Sequence, residues 1–270
     1  MTALLEDPAG KPLGFALPAG EVVTDMAEAP WFWLSATAPE AGLVERLRAA
    51  HRRTGLWPVL LGDDPLCVAA DLHPDLSGHL SGPTDGVVTA TDLDAWIVAE
   101  WAEIIAENEA NDYWEPEERV SALAPAGASW PGLALAGAQI AEPLAVADAI
   151  VAHVLENEWL GEPRLALVPS RAGSEALLRL GWRPSEVSDI APFAAMVQGW
   201  EDRFGARVVA LKPSTLYMSV AAPPATAEHA LHVAAEHLVF CPDAVFQCSE
   251  SFLDHAESLV GQAHWGFWWD

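Results

Sequence analysis

WEDRFGARVVALKPSTLYMSVAAPP (Trp200–Pro224) holds a helix end, a strand, a turn and a second strand in one run. Phe193, Val197, Trp200 and Phe204 recur at helical intervals, so they share one face of a helix over Pro192–Phe204. Gly205 closes that helix as a C-terminal glycine should. Arg207–Leu211 and Thr215–Ala221 then read as strands joined by the Lys212–Pro213–Ser214 turn, a hairpin. A helix feeding straight into a hairpin predicts helices packed on a sheet.

Toward the C-terminus, Thr226 caps a helix running to about Phe240, which Pro242 forbids from continuing. Ser251–Val260 is a last helix and Trp265–Trp269 a last strand. Toward the N-terminus, Ser174–Leu180 reads as a helix, Leu165–Val168 as a strand and Pro143–Glu158 as an amphipathic helix. The expected fold class is α/β (α+β): mixed β-sheets with packed helices and a C-terminal β-α-α-β-β-α-α-β module.

Three regions are expected. Residues 143–270 form the C-terminal α/β domain. Ser121–Gly137 is dominated by Ala, Pro and Gly and marks the boundary, with residues 126–142 as an Ala-, Pro- and Gly-rich linker. Residues 1–125 form an N-terminal α/β region, with strands at Gly14–Thr24, Trp31–Leu34 and Leu56–Leu61. Its helices are Pro39 to about Arg53, stopped by Gly55, and one capped by Asp92 with Leu93, Trp96, Ile97, Trp101, Ile104 and Ile105 at helical spacing. Residues 62–90, rich in Asp, Gly, Pro and Ser, read as a long acidic loop.

The formal net charge is −26, with Lys11 and Lys212 the only lysines. Such a field repels phosphate backbones and anionic surfaces, so neither nucleic acid nor membrane is an expected partner, whereas a basic protein is steered inward. Cys67, Cys241 and Cys248 make an odd count without paired spacing, and MTALLEDPAGK lacks an apolar signal core, so a cytoplasmic setting is expected. Thirteen Trp against two Tyr point to indoles as core anchors.

Several residue groups could carry chemistry. His237, Cys241 and Asp243 could form a base, nucleophile and orienter, since i and i+4 side chains meet on a helix; the competing reading is a satisfied core histidine and a small buried thiol. His229, His232 and Glu236 share the helix face opposite the apolar stripe, a spacing that could hold a metal but reads more simply as a solvated face. Asp71, His73 and Asp75 alternate in the acidic loop without matching a calcium or zinc pattern. Glu201, Asp202 and Arg203 are expected to face outward or sideways and could form a polar contact patch, and Trp269 with Asp270 could offer a cation or sugar platform. Phosphate-loop, dinucleotide, nucleophile-elbow and paired-cysteine signatures are missing, and no cofactor is expected.

Gly181–Trp182, WEDRFGARVVAL, LYMSVAAPP (Leu216–Pro224), AAEHLVFCPD (Ala234–Asp243) and the terminal FWWD (Phe267–Asp270) together resemble the bacterial, largely actinobacterial, domain of unknown function 4253 family. TGLWPVLL (Thr54–Leu61) and WPGLA (Trp130–Ala134) extend the resemblance to its longer members. The resemblance implies no activity, cofactor or catalytic residue. Where members often carry Asn shortly after Gly-Trp and after Cys-Pro-Asp, this chain has Val187 nearby and Ala244, so the resemblance does not carry over a polar site built on those Asn residues.

The reading that follows is a non-catalytic interaction factor, of immunity or antitoxin type, that meets a basic partner through an acidic face. The alternatives are an enzyme or small-ligand protein with a pocket near His237, Cys241 and Asp243, and a metal protein. Oligomeric state is not legible.

Overall fold

The computed structural model describes residues 1–25, 28–62, 91–110, 123–184, 187 and 189–269. The acidic-loop residues from Asp63 to His79, together with Cys67 and Asp270, lie outside the described residues.

A short helix, α1 (Thr2–Glu6), precedes the hairpin of β1 (Gly20–Thr24) and β2 (Pro30–Ser35). The helix expected over Pro39–Arg53 is two, α2 (Ala41–Ala49) and α3 (His51–Thr54), and Gly55 ends the second in the left-handed region at φ +67°. Next come β3 (Leu56–Leu61), α4 (Leu93–Ala110), α5 (Pro143–Glu156), β4 (Arg164–Pro169), α6 (Gly173–Leu180) and α7 (Ala191–Phe204). The hairpin of β5 (Arg207–Lys212) and β6 (Thr215–Ser219) follows, then α8 (Ala227–Phe240), α9 (Pro242–Phe246), α10 (Phe252–Ser258) and β7 (His264–Trp268). Pro242 ends α8 as expected and also starts α9 from its first turn, where the missing N–H costs nothing.

Among the described residues, seven strands join one mixed sheet in the order β1-β2-β4-β3-β5-β6-β7. Only β3 and β5 run parallel; the other neighbours are antiparallel. β4 therefore sits between β2 and β3, so the sheet takes strands from both sides of residues 126–142. Part of that segment is held across α7 and the strand end after β6. Gly137 N–H donates to Arg203 O at 3.1 Å, and Ile140 N–H donates to Ala221 O at 3.0 Å. A Cβ on Gly137 would come within 1.9 Å of Ala222 O, so only glycine permits this approach.

Alternation along the strands builds a core on each face. Leu56 and Leu60 of β3 and Leu165 and Leu167 of β4 meet α2 and α5, while Trp57, Val59, Ala166 and Val168 point to the larger core under α4, α6, α7 and α8. A register shift between Val208 and Ala210 turns Val209 and Ala210 toward the same, smaller core. The result is a helix–sheet–helix sandwich, with Trp33, Trp101, Trp182 and Trp200 among its largest fully buried side chains. No described helix is long and apolar enough to cross a membrane.

Candidate functional site

The His237–Cys241–Asp243 set does not assemble as a relay. His237 is buried and pairs through Nδ1 with His255 Nε2 at 3.2 Å, not with Cys241. Trp265 and Phe267 edge its ring at centroid distances of 4.7 and 4.8 Å, and Trp200 closes the box at 5.4 Å. The Cys241 thiol donates to Trp268 O at 2.9 Å, and burial, with help from Asp243, pushes its pKa up to about 12. A thiol held so is no nucleophile.

The histidine pair instead makes the fold acid-sensitive. Burial lowers His255 to about 4, and burial together with His255 holds His237 well below the ordinary imidazole value of 6.5. Both groups are neutral in the fold at pH 7, while the unfolded chain takes up protons below about 6.5. Stability is thus complete above that pH and falls as pH drops toward 4. Between pH 7 and 4.5 His255 alone is expected to remove roughly 2–3 kcal/mol, and His237 adds to that loss, relative to a His237→Phe/His255→Leu variant, measured by urea unfolding. Equal losses in both proteins would refute the assignment.

The face of α8 expected to be solvated is covered. Glu236 is fully buried and its carboxylate accepts four bonds: Ala134 N–H at 2.7 Å, Trp200 Nε1–H at 2.6 Å, and two from Arg203 at 2.7 Å each. His229 and His232 reach the carbonyls of Leu135 and Gly132 at 2.8 and 3.3 Å. The three do not converge, and no group of three potential metal ligands occurs among the described residues. What covers this face is residues 132–135 of the expected linker, from about a hundred positions away in sequence.

The expected Glu201–Asp202–Arg203 patch is divided for a related reason. Glu201 is buried beneath the start of α6, where its carboxylate accepts from Gly173 N–H at 2.9 Å and Ser174 Oγ–H at 2.7 Å. Burial raises its pKa, opposed by these bonds and by Arg207. Arg203 is committed to Glu236 and to Ala134 O, leaving only Asp202 exposed. Trp269 is 6% exposed, packed on Trp182 and Phe240, and forms no platform.

Sequence reasoning missed a cleft of about 800 Å³ at the sheet end where β3 and β5 begin and β4 finishes. Arg48 comes from α2, His51 and Arg52 from α3, Arg171 from the β4–α6 connection and Arg207 from β5. Gln139 and Gln198 add amides to the walls, and Glu142, Glu201 and Asp202 add carboxylates. Four of the chain's 13 lysines and arginines thus meet on one concavity of a protein of charge −26. His51 stands edge-on to Trp57 at 5.0 Å, and its Nε2 donates to Ser170 O at 2.8 Å, which fixes Nε2 as the protonated nitrogen. Arg48 is 1% exposed and ion-paired through Nη1 with Asp148 of α5. Burial first, and Arg207 in addition, lower its pKa, while Asp148 raises it. The only sequence signal was the run of arginines near the end of α2, and nothing local told which of them turns inward.

No curated protein and no solved structure matches the chain. β4 and the β5–β7 strands, with the helices between them, fall in one matched segment, although β3 from outside it separates β4 from β5 in the sheet. That segment, residues 164–270, matches the family model described as "Domain of unknown function (DUF4253)", so the C-terminal part of this chain is similar to that family.

Proposed function

We propose that this protein binds a small anionic molecule in the arginine cleft. The observation that carries the reading is the convergence of Arg48, Arg52, Arg171 and Arg207 on one cavity of ligand size. The overall charge opposes anions at long range, but exposed charges beyond about 8 Å are screened at physiological salt. At contact distance near a protein surface, each guanidinium is worth up to about 4 kcal/mol of Coulomb attraction, and the four arginines outnumber the three carboxylates, Glu142, Glu201 and Asp202, that line the same cavity. The free thiols of Cys241 and Cys248 support the expected cytoplasmic setting as part of this proposal.

The test is a thermal-shift and calorimetric titration with inorganic phosphate, citrate and succinate. At least one should raise the melting temperature of the parent, and Arg52→Glu should weaken its binding at least about tenfold. Arg46→Glu makes the same charge change on α2 outside the cleft lining and should bind as the parent does. Equal effects of the two variants, or no response to any anion, would refute the proposal.

Capture of a basic protein partner uses a different surface. The exposed face of α4 carries Glu103 and Glu107 close enough to Glu100 to help raise its pKa, second to burial. That reading predicts partner binding unaffected by Arg52→Glu.

A further inference from the structure

His51 is the cleft residue whose chemistry is fixed most tightly. Its ring packs against Trp57 at 5.0 Å, and its Nε2–H donates to Ser170 O at 2.8 Å. A carbonyl oxygen cannot donate, so in neutral His51 the proton sits on Nε2 and Nδ1 carries a lone pair. Among the described residues nothing pairs with Nδ1, and it is not one of the buried polar atoms left without a partner. Nδ1 therefore keeps accessible surface, on a half-buried ring that lines the cleft. Arg48 differs: its Nε and Nη2 are sealed in the wall, out of a ligand's reach. The reachable donors belong to Arg52 and Arg207. Arg52 is exposed and makes no hydrogen bond or ion pair with the described residues. Arg207 spends Nη1 on Ala206 O and Glu201 O, at 2.6 and 3.4 Å, while its Nε and Nη2 stay open.

Building on the anion-binding reading, we infer that the ligand is a hydroxycarboxylate, its anionic oxygens taken by the open guanidiniums and its hydroxyl donating to His51 Nδ1. A guanidinium only donates, so the arginines answer the acceptor oxygens of an anion and leave the lone pair on Nδ1 unanswered. The ligand group that meets Nδ1 must bring a proton. An ammonium would bring it with a positive charge, into a cavity where arginines outnumber carboxylates four to three. A hydroxyl brings the proton without the charge. The imidazole cannot adapt by moving its own proton to Nδ1, because Nε2 would then face Ser170 O with no hydrogen between them. His51 is thus a specificity-determining residue, which separates a hydroxylated anion from a bare one of the same charge and length.

Calorimetry on the full chain at pH 8, where imidazole is neutral, uses two pairs of probes that differ by one hydroxyl. They are malate against succinate and citrate against tricarballylate. In at least one pair the hydroxylated member should bind about three- to tenfold more tightly, the range of one neutral hydrogen bond. His51→Phe keeps a ring against Trp57 but removes the acceptor, and should bring the hydroxylated member down to the affinity of the bare one. A second measurement needs no substitution: in the ring-nitrogen NMR spectrum of the parent, one histidine Nδ1 resonance should shift with the hydroxylated probe and not with the bare one. Equal affinities within both pairs, no such shift, or a preference that survives His51→Phe overturns the hydroxycarboxylate assignment. Binding of phosphate with neither pair overturns it as well. In each of those cases anion binding that Arg52→Glu weakens leaves the cleft standing, whereas failure of every anion to bind the parent overturns both readings.

Discussion

A chain ending at His264 is expected to yield insoluble protein or one without a cooperative melt. The deletion removes Trp265, Phe267 and Trp269, all buried, and strips β6 of its outer neighbour. Trp200 loses a ring stacked at 5.3 Å with an interplanar angle of 8°, Phe240 loses partners at 4.8 and 5.6 Å, and the Cys241 thiol loses its acceptor. Truncating one buried Phe or Trp costs roughly 3–5 kcal/mol, so three remove about 9–15 kcal/mol. The whole stability of a domain is about 5–15 kcal/mol, and the loss matches it. Circular dichroism and solubility decide the matter: a soluble truncated chain with one sharp transition would show that the last strand is dispensable.

Glu236→Ala carries the next largest effect. It leaves Arg203 without its bidentate partner and the Ala134 N–H and Trp200 indole without their carboxylate acceptor, all at once. Breaking a buried pair from one side costs about 3–5 kcal/mol, which for a chain of this size lowers the melting temperature by roughly 10 °C. Because the same carboxylate holds Ala134, residues 132–140 should also loosen and their amide exchange quicken. Adding Arg203→Met should recover part of the loss, since it removes the uncompensated charge. A single variant that melts within 2 °C of the parent, a margin taken from the roughly 2–4 °C expected per kcal/mol, would mean that the node is incidental.

The elements themselves were largely legible because their signals are local. Phe193, Val197, Trp200 and Phe204 do line the inner face of α7, Thr226 does cap α8, and β5, β6 and β7 fall where the hairpin and terminal aromatics placed them. Glu236 shows where local reading ends. Its helical phase puts it opposite the apolar stripe, which means solvent unless something distant covers it, and residues 132–135 do so. The cleft failed to announce itself for the same reason. Arg48 and Arg52 are close in sequence, but Arg171 and Arg207 join them only because β3 and β5 start where β4 ends. Period-based arguments see one element at a time, and both the node and the cleft are properties of several.

The place of β4 between β2 and β3 bears on how the protein is made. β3 ends at Leu61 and β4 begins at Arg164, so a ribosome adding about 5–20 residues per second finishes β3 roughly 5–20 s before it starts β4. Through that interval the nascent chain holds a hairpin and the apolar run LWPVLL with their pairing edges unclaimed. Such a chain is a natural client for a chaperone that shields strand edges, and a message cut short before β4 would yield a product prone to stick to its own copies.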